Sequence, residues 1–340
     1  MSARRPTILL ITVAVALLAA AAVVRLVVAP NATKLPGDTD QTVRYAGEAT
    51  LLDSKALQSG DTAHALRSGI PVTVDRRIRV TSTHGDTAVL EDTTTVHAGE
   101  QSLPSSKTYA LDRGSRKGTS PPASTPAEPS RGALSAAFPP GAAQDDSYTY
   151  YDAATRSIVP VHYTGTARRE GRTVNVYEIK VSAPVKDPAT LEPLPSALPK
   201  KLVASLLPRL DSAARARFTP AVLSALPDPV PLSYLGQSTL VAYVDQQTGI
   251  AIDQTVSRKV IAVTTAGGEP ARPVPLLPVS ALTFGITADS MKELGDKADS
   301  AGLKLILLTV AAPIVLVVVA ALLLVIAFLR RHRAPLHTSV

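Results

Sequence analysis

Four histidines, His64, His84, His97 and His162, lie between the two ends of this sequence, each isolated from the others. Zinc sites take ligands from closely spaced pairs, and no such spacing is present. These histidines therefore read as residues at turns and strand surfaces. The close carboxylate pairs are Asp38-Thr39-Asp40 and Asp145-Asp146. Calcium would need further oxygen ligands and a turn glycine, so both read as solvated loops. Asp145-Asp146 precedes Tyr148, Tyr150 and Tyr151 and could form a recognition edge. Alternation places Tyr148 and Tyr150 on one sheet face, however, where they would serve equally as core. A nucleophilic serine needs a strained turn with a base nearby. The nearest segment, Gly236-Gln237-Ser238-Thr239-Leu240, lacks the second glycine and begins a strand. No glycine loop for phosphate is present. The chain has no cysteine, which excludes disulfides, thiol catalysis and thiolate metal sites. The reading is a non-enzyme: no catalytic, cofactor-binding or metal-binding residue emerges, and no cofactor is expected.

The net charge of +7 could suggest nucleic acid, but its placement argues otherwise. Arg4, Arg5 and Arg25 near one end, with Lys304, Arg330, Arg331 and Arg333 near the other, account for the whole excess. A nucleic-acid groove needs basic charge on the folded domain, whereas insertion into a bilayer needs it beside apolar helices. No nucleic-acid partner is expected.

Ile8 to Val24 is an uncharged apolar run of about 26 Å as helix, extended past Arg25 by Leu26 to Ala29. It exceeds a signal-peptide core, and its small-residue tract Ala19–Ala22 lies inside rather than after it, so a retained helix over 7–29 is expected. Leu305 to Leu329 spans about 37 Å without charge and ends at Arg330-Arg331-His332-Arg333. Pro313 is a bend that membrane helices tolerate. The positive-inside rule then puts residues 1–6 and the basic tail 330–340 in the cytoplasm, with spans over 7–29 and 304–329. Residues 30–303 lie outside. Ala16, Ala20, Ala320 and Ala327 offer small faces for helix pairing.

Between the helices the pattern has the two-residue period of strands. Hairpins are predicted from Arg76–Thr81 to Thr87–Val96 through Gly85-Asp86, and from Ile158–Ala167 to Thr173–Val181. A third joins Ser238–Val244 to Ile250–Val263. Residues 114–132 are Pro/Ser-rich and read as a mobile surface loop. Residues 199–226 read as a helical insertion, with Asp211 and Thr219 as caps and Leu202, Leu206 and Leu207 as core. Thr287 caps a further helix that could run into the second span. The fold class is α+β: a large antiparallel β-rich extracytoplasmic domain with a small helical insertion, flanked by two transmembrane helices. Whether its sheet closes into a barrel is left open.

Several segments in order carry a resemblance: Lys107 to Arg113, Phe138-Pro139-Pro140-Gly141, and Ser147 to Asp152. Tyr163-Thr164-Gly165, Gly171 with Tyr177, and Val244 to Ile250 continue it. The sequence resembles the PorA-like family of actinobacterial cell-envelope proteins over nearly its whole length. The family's name implies a porin, and the resemblance supplies no catalytic residues. The plan of two terminal helices around a β-rich domain is also similar to class B scavenger receptors, which bind lipids. A membrane-anchored binding module of the cell envelope, for lipid or another apolar ligand, is the expectation, with a porin-like channel as the alternative and an envelope enzyme a distant third. The expected partners are the bilayer and an apolar ligand, and homo-oligomerisation stays open. A spanning barrel would need apolar strand faces and aromatic girdles, which 4% aromatics with no Trp do not supply.

Overall fold

The computed structural model describes residues 4–332 except 54, 57–58, 60, 62–63, 124, 211 and 267–271. Asp211, expected as a cap, and Arg333 with the rest of the tail fall outside the described residues. Two compact units are present, one of residues 1–34 with 297–340 and one of Leu35–Asp296.

The chain begins with α1 (Arg4–Val23), a π-helical turn at Val24–Val28, and α2 (Ala29–Ala32). Thr7–Ala32 is long and apolar enough to cross a membrane. Such a helix satisfies every backbone group internally, as a bilayer demands.

The second unit is built on a curled ten-stranded antiparallel sheet. Its strands are β1 (Asp40–Leu52), β2 (Leu66–His84), β3 (Thr87–Ala98), β4 (Gln101–Asp112), β5 (Thr149–Asp152), β6 (Ser157–Arg169) and β7 (Arg172–Pro184). A short ribbon of β8 (Ala197–Leu198) and β9 (Val230–Pro231) precedes β10 (Ser233–Asp245), β11 (Ala251–Ala266) and β12 (Arg272–Ile286). The order is β4-β3-β2-β1-β12-β11-β10-β7-β6-β5. All three predicted hairpins form. In the first, Gly85 takes φ +60° in the two-residue link between His84 and Thr87. The second turn is tighter than the four residues expected: Arg169 pairs with Arg172, and Glu170 and Gly171 both adopt positive φ. Two consecutive positive φ values give the primed turn that matches strand twist.

The sheet edges β4 and β5 are laced together by residues 118–134. Thr119 N donates to Ala110 O and Glu128 N to Thr108 O on β4. Leu134 N donates to Thr149 O, and Tyr151 N returns a bond to Leu134 O at β5. Tyr109 of β4 and Tyr151 of β5 meet edge-to-face at 6.4 Å. The stretch read as a mobile surface loop supplies the bonds to β4, and Ser130 is buried within it. Its prolines remove donors, but Thr119 and Glu128 still pair with β4 and Leu134 with β5, while Gly118, Ser130, Gly132 and Ala133 bond within the segment.

The predicted helical insertion is present as α4 (Lys200–Leu206), α5 (Ser212–Ala216) and α6 (Pro220–Ala225), preceded by a short α3 (Pro188–Leu191). Thr219 caps α6, its side chain accepting from Val222 N. Leu206 is buried, as predicted, and packs with Val203, Phe218, Tyr234 and Leu276; Leu202 and Leu207 are half-buried against that cluster. A larger cluster fills part of the sheet interior, including Val74, Val161, Tyr177, Ala242 and Phe284.

After β12, Thr287 opens α7 (Ala288–Ile306), its Oγ1 accepting from Ser290 N. A second π turn, Leu307–Ala311, leads into α8 (Ala312–His332) immediately before Pro313. The helical run Ala288–Arg330 also passes the length and hydropathy test for a membrane span. α1 and α8 pack together, with Ala14, Ala21, Ala320 and Ala327 buried. Ala16 and Ala20, the faces expected on α1, are exposed instead. The buried alanines repeat every seven residues, the period that keeps one helical seam facing its partner.

Candidate functional site

Opposed residues of an antiparallel pair share a face, so the register identifies the inner surface of the curled sheet. On β2 that face runs Val72, Val74, Arg76, Ile78, Val80. Arg76 stands in an otherwise apolar row. Asp92 of β3 lies opposite Ile78, one diagonal step away. Arg76 Nε donates to Asp92 Oδ1 at 2.9 Å and Nη2 to Oδ2 at 2.6 Å. Only 20% of the Arg76 side chain and 11% of Asp92 are accessible. Burial penalises the charged guanidinium, and the charge and hydrogen bonds of Asp92 overcome that penalty and hold Arg76 protonated.

Around this pair sit further polar groups. Tyr45 Oη donates to Gln254 Oε1 at 2.9 Å, and burial raises the Tyr45 pKa. Tyr150 of β5 also has its pKa raised by burial, against the opposing charges of Arg258 and Arg76. Tyr150 therefore lies within electrostatic reach of β2 and of β11, strands well separated in the sheet order. Arg258 shares a face with buried Val256 and half-buried Val260, and sits between Ser238 and Leu282 in the register. Among the described residues no carboxylate lies within ion-pair distance of Arg258.

The interior is unevenly filled. In one register row Val161, Ile179, Leu240, Val256, Phe284 and Val72 are buried, and Gly47 between the last two is half-buried. In the adjacent row Val181 and Ala49 are buried, but Val159, Ser238, Leu282 and Ile70 are half-buried and Arg258 is exposed. Inward-facing side chains thus keep accessible surface at that level. They are mainly aliphatic, with Arg258 and Tyr150 as polar groups. Apolar walls with a few placed polar groups are the usual makeup of a small-molecule site.

The residues singled out from sequence are dispersed. His64 meets Asp61 at 2.7 Å, His97 lies 3.7 Å from Asp75, and His162 meets Asp146 at 2.9 Å. Asp40 pairs with Arg77, and Asp145 accepts from Ser147 N. Among the described residues no three His, Asp or Glu side chains gather as a metal site would require. Ser238 does not begin a strand: β10 starts at Ser233, and Ser238 sits within it opposite Arg258. Tyr148 and Tyr150 both face the main core cluster, and Tyr151 joins a smaller one. Tyr45, Arg76, Asp92, Gln254 and Arg258 were missed. The available signal was a charged residue at an apolar position of a two-residue period, in Val74-Thr73-type alternation around Arg76 and again in Val256-Ser257-Arg258-Lys259-Val260.

Many of the motif residues build structure. Phe138 stacks on Tyr177 at 4.7 Å and meets Tyr148 edge-on at 5.9 Å. Asn175 Nδ2 donates to Ala142 O at 3.0 Å. Gly249 has φ +74°, and a Cβ there would lie 2.4 Å from Pro139 O. At the seam, Lys107 Nζ pairs with Asp187 Oδ1 at 2.6 Å and approaches Glu128 at 3.9 Å, while Tyr151 Oη donates to Glu128 at 2.6 Å.

The family model described as Porin PorA matches residues 7–329. The chain belongs to the PorA family. Its match covers both candidate spans and the whole curled sheet. Comparison with curated proteins gives no match. Among solved structures, the chain is 10% identical to an acyl-CoA thioesterase II, TesB2, from Mycobacterium marinum, over 73% of this chain and 80% of that one, with a TM-score of 0.14. A conserved protein of unknown function with hot dog fold from Alicyclobacillus acidocaldarius is 13% identical over 76% and 83%, with a TM-score of 0.12. Scores this low carry no argument about fold or activity. PorA membership and two apolar helices are consistent with a membrane protein.

Proposed function

We propose that this PorA-family chain is a membrane-anchored binding module of the cell envelope, its β unit outside the cytoplasm and its inner sheet face taking a lipid or another apolar ligand. The observation that carries this reading is that Val159, Leu282 and Ile70 face inward yet remain half-buried. Apolar surface left accessible inside a sheet is costly by about 25 cal/mol per Å², and an apolar occupant removes that cost. The placement rests on Arg330 and Arg331 after the second span and Arg4 and Arg5 before the first.

The outer strand faces argue against the sheet itself spanning a bilayer. Arg77 pairs there with Asp40, Arg79 with Glu91, and Arg44 with Asp75. A lipid-facing strand carries apolar residues at such positions. The family's description names a porin, so a channel built by the helices is the second reading.

Native mass spectrometry of the full-length chain, released from lipid nanodiscs, tests the first reading. The expected spectrum shows one retained lipid that survives removal of the bulk lipid. A protein free of adducts, together with single-channel conductance in planar bilayers, would replace binding with the channel.

A further inference from the structure

Among the described residues of the inner sheet face, Arg258 is an accessible charge without a carboxylate partner. Arg76 is neutralised by Asp92, and Lys107 by Asp187 with Glu128 beside it. Arg258 has no such partner among the described residues. Its charge acts on the hydroxyls of Tyr150 and Tyr45, both otherwise dominated by burial. Ser238 stands directly across the strand from it, and Leu282 on the other side. Arginine in this aliphatic row is an accessible planar fork of donors, and that geometry matches carboxylate or phosphate oxygens.

We propose that this face takes an acidic single-chain amphiphile, its carboxylate or phosphate held by Arg258 and its chain laid along Val159, Leu282 and Ile70. This rests on the binding reading above and adds the charge of the ligand to it. Ser238 and Tyr150 offer hydroxyls to the remaining head-group oxygens. The chain end lies against aliphatic side chains, so the two ends of one ligand find complementary surfaces.

The test uses the full-length protein in nanodiscs, titrated calorimetrically with decanoate, decyl phosphate and neutral decanol, with empty nanodiscs as the blank. Both acids are expected to bind roughly ten- to hundred-fold more tightly than decanol, the range for a hydrogen-bonded charge. Arg258→Met should abolish that preference while leaving decanol affinity unchanged, which also reports that the variant is folded. Arg258→Lys should retain part of it. The ratio of decanoate to decyl phosphate assigns the head group as carboxylate or phosphate. Acetate or inorganic phosphate binding as tightly as the amphiphiles would overturn the amphiphile and assign a free-anion site. Equal affinity for acids and decanol, or an unchanged preference in Arg258→Met, overturns this inference alone. Failure of all three decyl probes to bind overturns the binding reading as well.

Discussion

Arg25 Nη1 donates to the carbonyl oxygen of Thr309 at 3.3 Å, joining the first apolar helix to the second. Thr309 stands four residues before Pro313, which has no N–H to offer that carbonyl. Both helices open into a π turn here, Val24–Val28 around Arg25 and Leu307–Ala311 around Thr309. The charge at position 25 thus supplies the donor that proline withholds. Removing Arg25 should weaken the helix pair by about 1 kcal/mol. Pro313→Ala restores a backbone donor, so Arg25→Ala should cost less in that background. Unfolding in mixed micelles would measure the cycle, and strictly additive effects would sink the account.

The same helix pair depends on close approach. Ala14 and Ala320 are fully buried, with no room beyond a methyl group. Ala320→Leu should separate the helices, seen as lost energy transfer between labels at the start of α1 and the end of α8. A leucine at exposed Ala16 should leave the transfer unchanged.

Asp92 is worth more to Arg76 than the pair is worth to the fold. Asp92→Ala leaves a guanidinium uncompensated in the sheet interior and should cost about 3 kcal/mol. The double variant Arg76→Met with Asp92→Leu removes both charges together and should recover most of that loss. Chemical denaturation of the three variants distinguishes this from simple loss of packing, in which the double variant would be the worst.

Acid should unfold the β unit partly through Asp245. Burial alone would raise its pKa, but hydrogen bonds from Arg172 and Thr248 outweigh this and hold it below the ordinary 3.8. Burial likewise opposes, and Lys107 with Thr190 lowers, the pKa of Asp187. A depressed folded pKa means both contributions are complete above 3.8 and fade as pH falls through the lower folded values. Asp245→Asn should lower stability by roughly 1–2 kcal/mol at neutral pH and flatten the acid limb. An equally steep acid limb in the variant would assign the acid sensitivity elsewhere.

Gly249→Ala should destabilise by about 2 kcal/mol or more, since the position needs positive φ and the new methyl would collide with Pro139 O. A thermal midpoint equal to that of the parent would contradict the close approach of the two loops.

Strand alternation, turn glycines and apolar length were legible without coordinates, and with them the hairpins, the helical insertion and both apolar helices. The interior was not. From the turn outward His84 faces Thr87, but a bulge at Thr81 shifts the register so that Val80 meets Leu90. That one-residue slip sets Asp92 diagonal to Arg76, and nothing in the local sequence around Thr81 announces it. Arg76 consequently stood in the sequence only as the first residue of a hairpin strand. Composition was equally silent on the bonds at 114–132, because Pro and Ser describe how a segment behaves alone, not which amides await it on β4 and β5. Arg258 was invisible for a related reason: its lack of a partner is a property of every strand around it.

The seam across the sheet also bears on how the protein stays dispersed. Exposed strand edges recruit neighbouring chains by adding strands end to end in a growing sheet. Here Thr108 and Ala110 spend their carbonyls on residues 119–128, so one half of β4 is closed to such growth. The other half, Gln101–Ser106, is exposed and contains Pro104, which has no amide to donate to an incoming strand. Crowded on a membrane, copies of this chain would find no continuous edge along β4 on which amyloid-like pairing could begin.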